Sequence, residues 1–207
     1  MAGCSNSKQL IQNTKMKKRI SISAVAFIAI AFSSLGIKAQ TPKINLLIKK
    51  EILIDAGVEK AWQVLGPQFT DAYKWASTVS TSEGQGEKIG DIYSERVCTT
   101  PMGTLKEKVL EYSADNHLLS YSFEGMPKMV RFAKNTWQLI SIDSNQTKLS
   151  LVMEIKIGGF MGKMMKPMMK GKMAKMMNHT IEEFKYYVET GQPHPRKLKA
   201  IHKSKKY

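Results

Sequence analysis

Met161 to Met177 hold eight methionines and five lysines with no acid among them, the densest concentration of side-chain chemistry in the chain. Thioethers are soft ligands that select Cu(I) over harder ions. No His or Cys joins them, and the lysines repel a cation, so Cu(I) binding stands as a secondary reading. The same methionines suit the lid of an apolar cavity, because an unbranched thioether adapts to differing neighbours. With lysines alongside, they also suit a helix lying on an anionic lipid surface. Glu107 is the second residue of interest, since it shares a strand face with Leu105 and Val109. A buried carboxylate must be paired, and Arg96 or Arg131 could supply the cation. The alternative is an exposed strand glutamate, the commoner fate of that residue type. No catalytic role is assigned to it.

Other chemistries find no support. His117, His179, His194 and His202 lack metal-ligand spacing, there is no G-x-S-x-G, and Gly84-x-Gly86 reads as a hairpin turn rather than the entry to a helix. Apart from the secondary Cu(I) reading, the sequence therefore points to no metal, and it points to no cofactor, nucleotide or hydrolytic nucleophile. Cys98 has no neighbouring His or Cys to activate it and reads as a small buried hydrophobe.

The elements that must position these residues begin after an export signal. Lys17-Lys18-Arg19, the apolar run Ile20 to Leu35 and the segment Gly36 to Gln40 have the layout of a secretory leader cleaved after Ala39. The run is shorter than the ~20 residues a membrane-spanning helix needs, so an uncleaved anchor is the lesser alternative. Met16 is a candidate start, and the expected destination is the periplasm or the medium. Without residues 1–39 the chain has 168 residues and a net charge of +9 instead of +15. Six of the remaining basic residues fall in the tail 192–207, which leaves 20 basic against 17 acidic residues in the body. A solvated, disordered basic tail is expected there, and nucleic acid is not an expected partner.

Residues 46–54 alternate as a strand and stop at Asp55-Ala56-Gly57. Val58, Ala61, Trp62 and Leu65 recur at helical spacing, and Phe69 to Ser77 reads as a second short helix or ordered loop. From Val79 to Ile157 the chain is strand-like between turn signals, an antiparallel meander of six strands. A long helix follows Gly158-Gly159 and ends at Gly191-Gln192-Pro193. Pro167 is expected to kink or break it.

Strand, two short helices, meander and long final helix occur in an order that resembles the START-like or SRPBCC superfamily, the polyketide cyclase/dehydrase and lipid transport group that includes the major birch pollen allergen. Ile54-Asp55-Ala56-Gly57-Val58-Glu59-Lys60-Ala61-Trp62 is similar to that group's opening motif, with Gly57 where proline is usual. Gly90-Asp91-Ile92-Tyr93, Leu105 to Val109, Leu119-Ser120-Tyr121 and Tyr187 to Gly191 add weaker likenesses in the same order. The resemblance implies an α+β helix-grip fold over residues 44–191, a curved antiparallel sheet of seven strands wrapped around the C-terminal helix. It also implies a cavity between sheet and helix. Trp62, Phe69, Trp75, Glu107, Tyr121, Phe123, Trp137, Met161, Met164, Met165 and Met168 are the residues expected to face it. Glu107 matches the acidic position of the group's "E-R-L" stretch. A hydrophobic small molecule or lipid is the expected partner, with cyclase or dehydratase activity as the alternative and a membrane surface as a possible contact of the Met/Lys-rich helix. A closed, fully packed core is the competing explanation for the same aromatic and methionine pattern.

Overall fold

The computed structural model describes residues 43–204. The leader read at 17–39 lies outside the described residues. β1 (Leu46–Ile54) pairs antiparallel with β7 (Thr147–Ile157), Leu46 opposite Ile155 and Ile54 opposite Thr147. Between them in sequence run β2 (Thr81–Ile89), β3 (Ile92–Thr100), β4 (Gly103–Ser113), β5 (Leu118–Glu124) and β6 (Val130–Ser141). The spatial order is β1-β7-β6-β5-β4-β3-β2, one antiparallel sheet of seven strands. Register shifts in β2, β4 and β6 bend the sheet, as an unpaired extra residue does. The result is a curved α+β helix-grip fold.

Period-two alternation decides which face is covered. Ala133, Asn135, Trp137 and Leu139 of β6 and Leu149, Leu151, Met153, Ile155 and Ile157 of β7 are buried on one side. α3 (Gly159–Thr190) covers that side, burying Met177, Ile181, Phe184 and Val188 at steps of three to four residues. Phe184 is fully buried, with its ring 5.3 Å from Trp75 and 5.7 Å from Trp137. Gly191 ends α3 at φ +69°, a left-handed cap that lets its N–H bond to the Tyr187 carbonyl at 2.8 Å. The last turn is tied to the end of β1 by Glu189, which accepts the Asp55 N–H at 2.7 Å, and by Lys185, 3.0 Å from Asp55.

Three expectations need correction. Pro167 does not divide α3, which is one helix from Gly159 to Thr190. Gly84 and Gly86 lie inside β2 and not in a turn. Gly84 is there because a Cβ would strike the Tyr93 ring at 2.1 Å, and Gly86 adopts φ +78° beside the register shift. The segment after α1 (Val58–Leu65) is the expected second short helix, α2 (Ala72–Trp75), entered through a 3-10 turn at Phe69–Asp71. The described part of the basic tail is ordered, because Pro195–Ser204 forms α4. Two of its basic residues find fixed acceptors: Lys197 is buried with Nζ 2.6 Å from the Val79 carbonyl, and Arg196 pairs with Glu182 and Glu183.

Candidate functional site

The curvature of the sheet leaves a cavity of about 280 Å³ between its covered face and the second half of α3. Trp75 and Ala76 close one side, Trp137, Leu151 and Met153 form the floor, and Met173, Met176 and Met177 form the roof. Thr100, Pro101, Met102 and Met126 lie at the loop end, where Met102 is 64% exposed and marks the mouth. The walls are overwhelmingly apolar, and the few polar groups come from Arg96, Glu107, Tyr121, Asn135 and the threonines 78, 100 and 180.

Arg96 on β3 stands directly opposite Glu107 on β4, so the antiparallel register itself forms the pair. Arg96 Nε donates to Glu107 Oε2 at 2.6 Å, its second terminal nitrogen meets the same oxygen, and its first donates to the Phe69 carbonyl. The guanidinium also lies 3.9 Å over the Phe69 ring. Both partners are almost wholly buried. Burial opposes the Arg96 charge most strongly, yet Glu107, with smaller contributions from Cys98 and Tyr121, holds the guanidinium above its ordinary range. Burial pushes the Cys98 thiol up to about 12, so it is an inert neighbour and not a nucleophile. Burial, followed by the Glu107 charge, likewise pushes Tyr121 up to about 12. Tyr121 is therefore a persistent O–H donor at neutral pH and no general base.

Trp75, Glu107, Tyr121, Phe123 and Trp137 are brought together on the cavity as their strand and helix positions suggested. Phe69 is buried behind Arg96 and lines only a small neighbouring void. Trp62 packs elsewhere, stacked on Tyr112 at 5.4 Å with His117 against its edge. Met161, Met164 and Met168 are 55, 62 and 48% exposed, and Met165 is half-buried away from the cavity. The roof uses Met173, Met176 and Met177 farther along the helix, because that is the part of α3 that buries Met177 and Phe184 in the core. Asn135 was overlooked, although its place two residues from Trp137 on an alternating strand put it on the same face. Among the described residues no cluster of His, Cys, Asp or Glu could hold a metal ion.

The fold recurs among solved structures. The START superfamily protein from Mycobacterium smegmatis is 11% identical, with a TM-score of 0.57 over 69% of this chain and 97% of its own. The Zhui aromatase/cyclase from Streptomyces sp. R1128 is 12% identical, with a TM-score of 0.56 over 72% of this chain and 99% of its own. Norcoclaurine synthase from Thalictrum flavum, in complex with dopamine and hydroxybenzaldehyde, is 15% identical, with a TM-score of 0.53 over 69% and 86%. Identities this low carry the fold and no more. No curated protein sequence matches the chain. Residues 46–189, first strand to last helical turn, match the family described as polyketide cyclase / dehydrase and lipid transport, and the chain belongs to that family.

Proposed function

We propose that this is an exported binding protein that holds a mainly apolar small molecule between its sheet and the second half of α3. The observation that carries the proposal is the cavity of about 280 Å³, far larger than the small void beside it. Protein cores tolerate few voids larger than a water molecule, and this one sits at the small end of the range of ligand pockets. Its size favours a one- or two-ring molecule over a two-chain lipid. Three methionines in the roof supply an adaptable cover. Export is supported by the basic, apolar and small-residue layout of residues 17–40.

Docking on a lipid surface is part of the same proposal. Phe160, Met161, Met164 and Met168 are exposed on the first half of α3, Phe160 at 80%, beside Lys163, Lys166 and Lys170 with no acid on that stretch. Among the described residues no helix is long and apolar enough to cross a membrane. Such a strip suits lying on an anionic surface. Flotation with vesicles containing anionic lipid, lost in a Phe160→Ser/Met164→Ser variant, is the expected behaviour; equal flotation of both proteins would remove this part.

Native mass spectrometry of protein purified from its own host, followed by organic extraction, tests the binding reading. An adduct released into solvent is expected, and ligand-free protein that also ignores apolar probes would refute it. A cyclase-type activity is the second reading, favoured by Tyr121 as a fixed donor to a ligand carbonyl. Loss of turnover with retained binding in Glu107→Gln would favour it.

A further inference from the structure

Hydrogen-bonding capacity along the inner wall of the cavity does not balance. Tyr121 on β5 stands opposite Asn135 on β6, and its oxygen receives two N–H donors, from Trp137 at 3.0 Å and from Asn135 at 3.4 Å. The phenol's own proton has no acceptor among the described residues. Asn135 Oδ1 has no donor and Trp75 Nε1 has no acceptor, although both residues are more than nine-tenths buried. Glu107 spends Oε2 on Arg96 and on the more distant Cys98 thiol, while Oε1 bonds to no described residue. All four residues line the same space. Folded interiors leave few such groups unmade, because each one unpaired is costly. Turning the Asn135 amide over would give the Tyr121 proton an acceptor but leave the NH2 group unspent, so the imbalance survives either orientation.

We infer that the cavity takes a neutral, ring-built molecule bearing hydroxyl and carbonyl oxygen at its inner end, as a phenol or hydroxy-ketone does. The inference rests on the binding reading above and specifies its ligand. A carbonyl oxygen accepts from Trp75 Nε1 or the Tyr121 hydroxyl, and a ligand hydroxyl donates to Asn135 Oδ1 or Glu107 Oε1. The apolar remainder lies under the methionine roof toward Met102. Neutrality follows from the ion pair. Arg96 turns three of its five N–H donors to Glu107 and the Phe69 carbonyl, and its charge is already matched by Glu107, so a carboxylate ligand would find no unpaired cation and would face Glu107. An ammonium ligand would meet Arg96 in the same wall.

Equilibrium dialysis of the purified full chain against naphthalene, 2-naphthol, 2-acetylnaphthalene and 2-naphthoate tests this. The hydroxyl and acetyl probes are expected to bind roughly tenfold or more tightly than naphthalene and naphthoate, the worth of one buried hydrogen bond. Trp75→Phe keeps a ring and removes the N–H, and should cut the acetylnaphthalene preference about tenfold; Asn135→Leu should do the same to 2-naphthol. Naphthalene binding reports on the fold in each variant, and where it is lost Tyr121→Phe carries the test. Naphthalene bound as tightly as 2-naphthol would mean that water satisfies these atoms and would overturn the inference while leaving the binding reading intact. Naphthoate as the tightest probe, or preferences unchanged in the variants, would also overturn it. Failure of all four probes would remove both.

Discussion

Replacing Arg96 with methionine removes one half of an ion pair whose members are only 5 and 6% exposed. Glu107 then loses both of its nitrogen donors, and the Phe69 carbonyl loses its own. Stranding a buried charge costs about 3–5 kcal/mol, and an unsatisfied carbonyl adds about 1 kcal/mol. Methionine retains much of the apolar contact with the Phe69 ring, so the expected loss is about 4–6 kcal/mol. For a domain of this size that lowers Tm by roughly 10–20 °C. The double variant Arg96→Met/Glu107→Leu removes the charge along with its partner and should lie within about 2 kcal/mol of the parent, since apolar replacement of a buried pair is often neutral. Urea titration followed by circular dichroism, with the slope compared across variants, gives these differences. A single variant that loses less than about 1 kcal/mol would show that Glu107 does not depend on Arg96. A double variant as unstable as the single one would show that shape, and not charge, is at stake.

Cys98, 1% exposed and with a thiol pushed up to about 12, should resist iodoacetamide at pH 8 in the folded protein and react once urea unfolds it, read by peptide mapping; rapid native labelling would contradict its burial. Tyr121 is raised in the folded state from 10.0 to about 12, so its contribution is fully present below pH 10 and is lost as pH rises from there through 12. That linkage is worth about 2–3 kcal/mol, so Tyr121→Phe should lose less stability than the parent between pH 9 and 11.5, and parallel losses would refute it. Ending the chain after Gly191 removes the Arg196 and Lys197 contacts with Glu183 and Val79. The expected cost is about 2 kcal/mol, with faster amide exchange at Ser77 and Val79, and unchanged exchange would show that α4 does not brace the cavity wall.

Strand alternation made the meander and the buried face of β7 legible before any coordinates, and Gly191-Gln192-Pro193 did the same for the stop of α3, because each depends on local period or on a single residue's conformational freedom. The Arg96–Glu107 pair was half legible. The sequence offered Arg96 or Arg131, and only the β3–β4 register chooses between them. Arg131 instead lies against Gly158, where a Cβ would meet its side chain at 2.9 Å. The lid was legible as Met161–Met177, but the methionines expected to face the cavity, Met161 to Met168, precede those that do, because both segments are rich in Met and Lys and the position of α3 over the sheet decides between them. Trp62 was expected on the cavity from the resemblance, yet α1 directs it toward Tyr112 and His117. The tail's charge run hid a helix because its acceptors, Glu182, Glu183 and the Val79 carbonyl, are distant in sequence.

The cavity carries the functional account, and filling it is the most direct trial. Ala76 is 3% exposed and lines the cavity beside Trp75, so Ala76→Phe should occupy ligand space without touching the Arg96–Glu107 pair. Native mass spectrometry of parent and variant, both purified from the protein's own host, should find a small-molecule adduct on the parent and none on the folded variant. Adducts of equal mass and occupancy on both would contradict a ligand held between the sheet and α3.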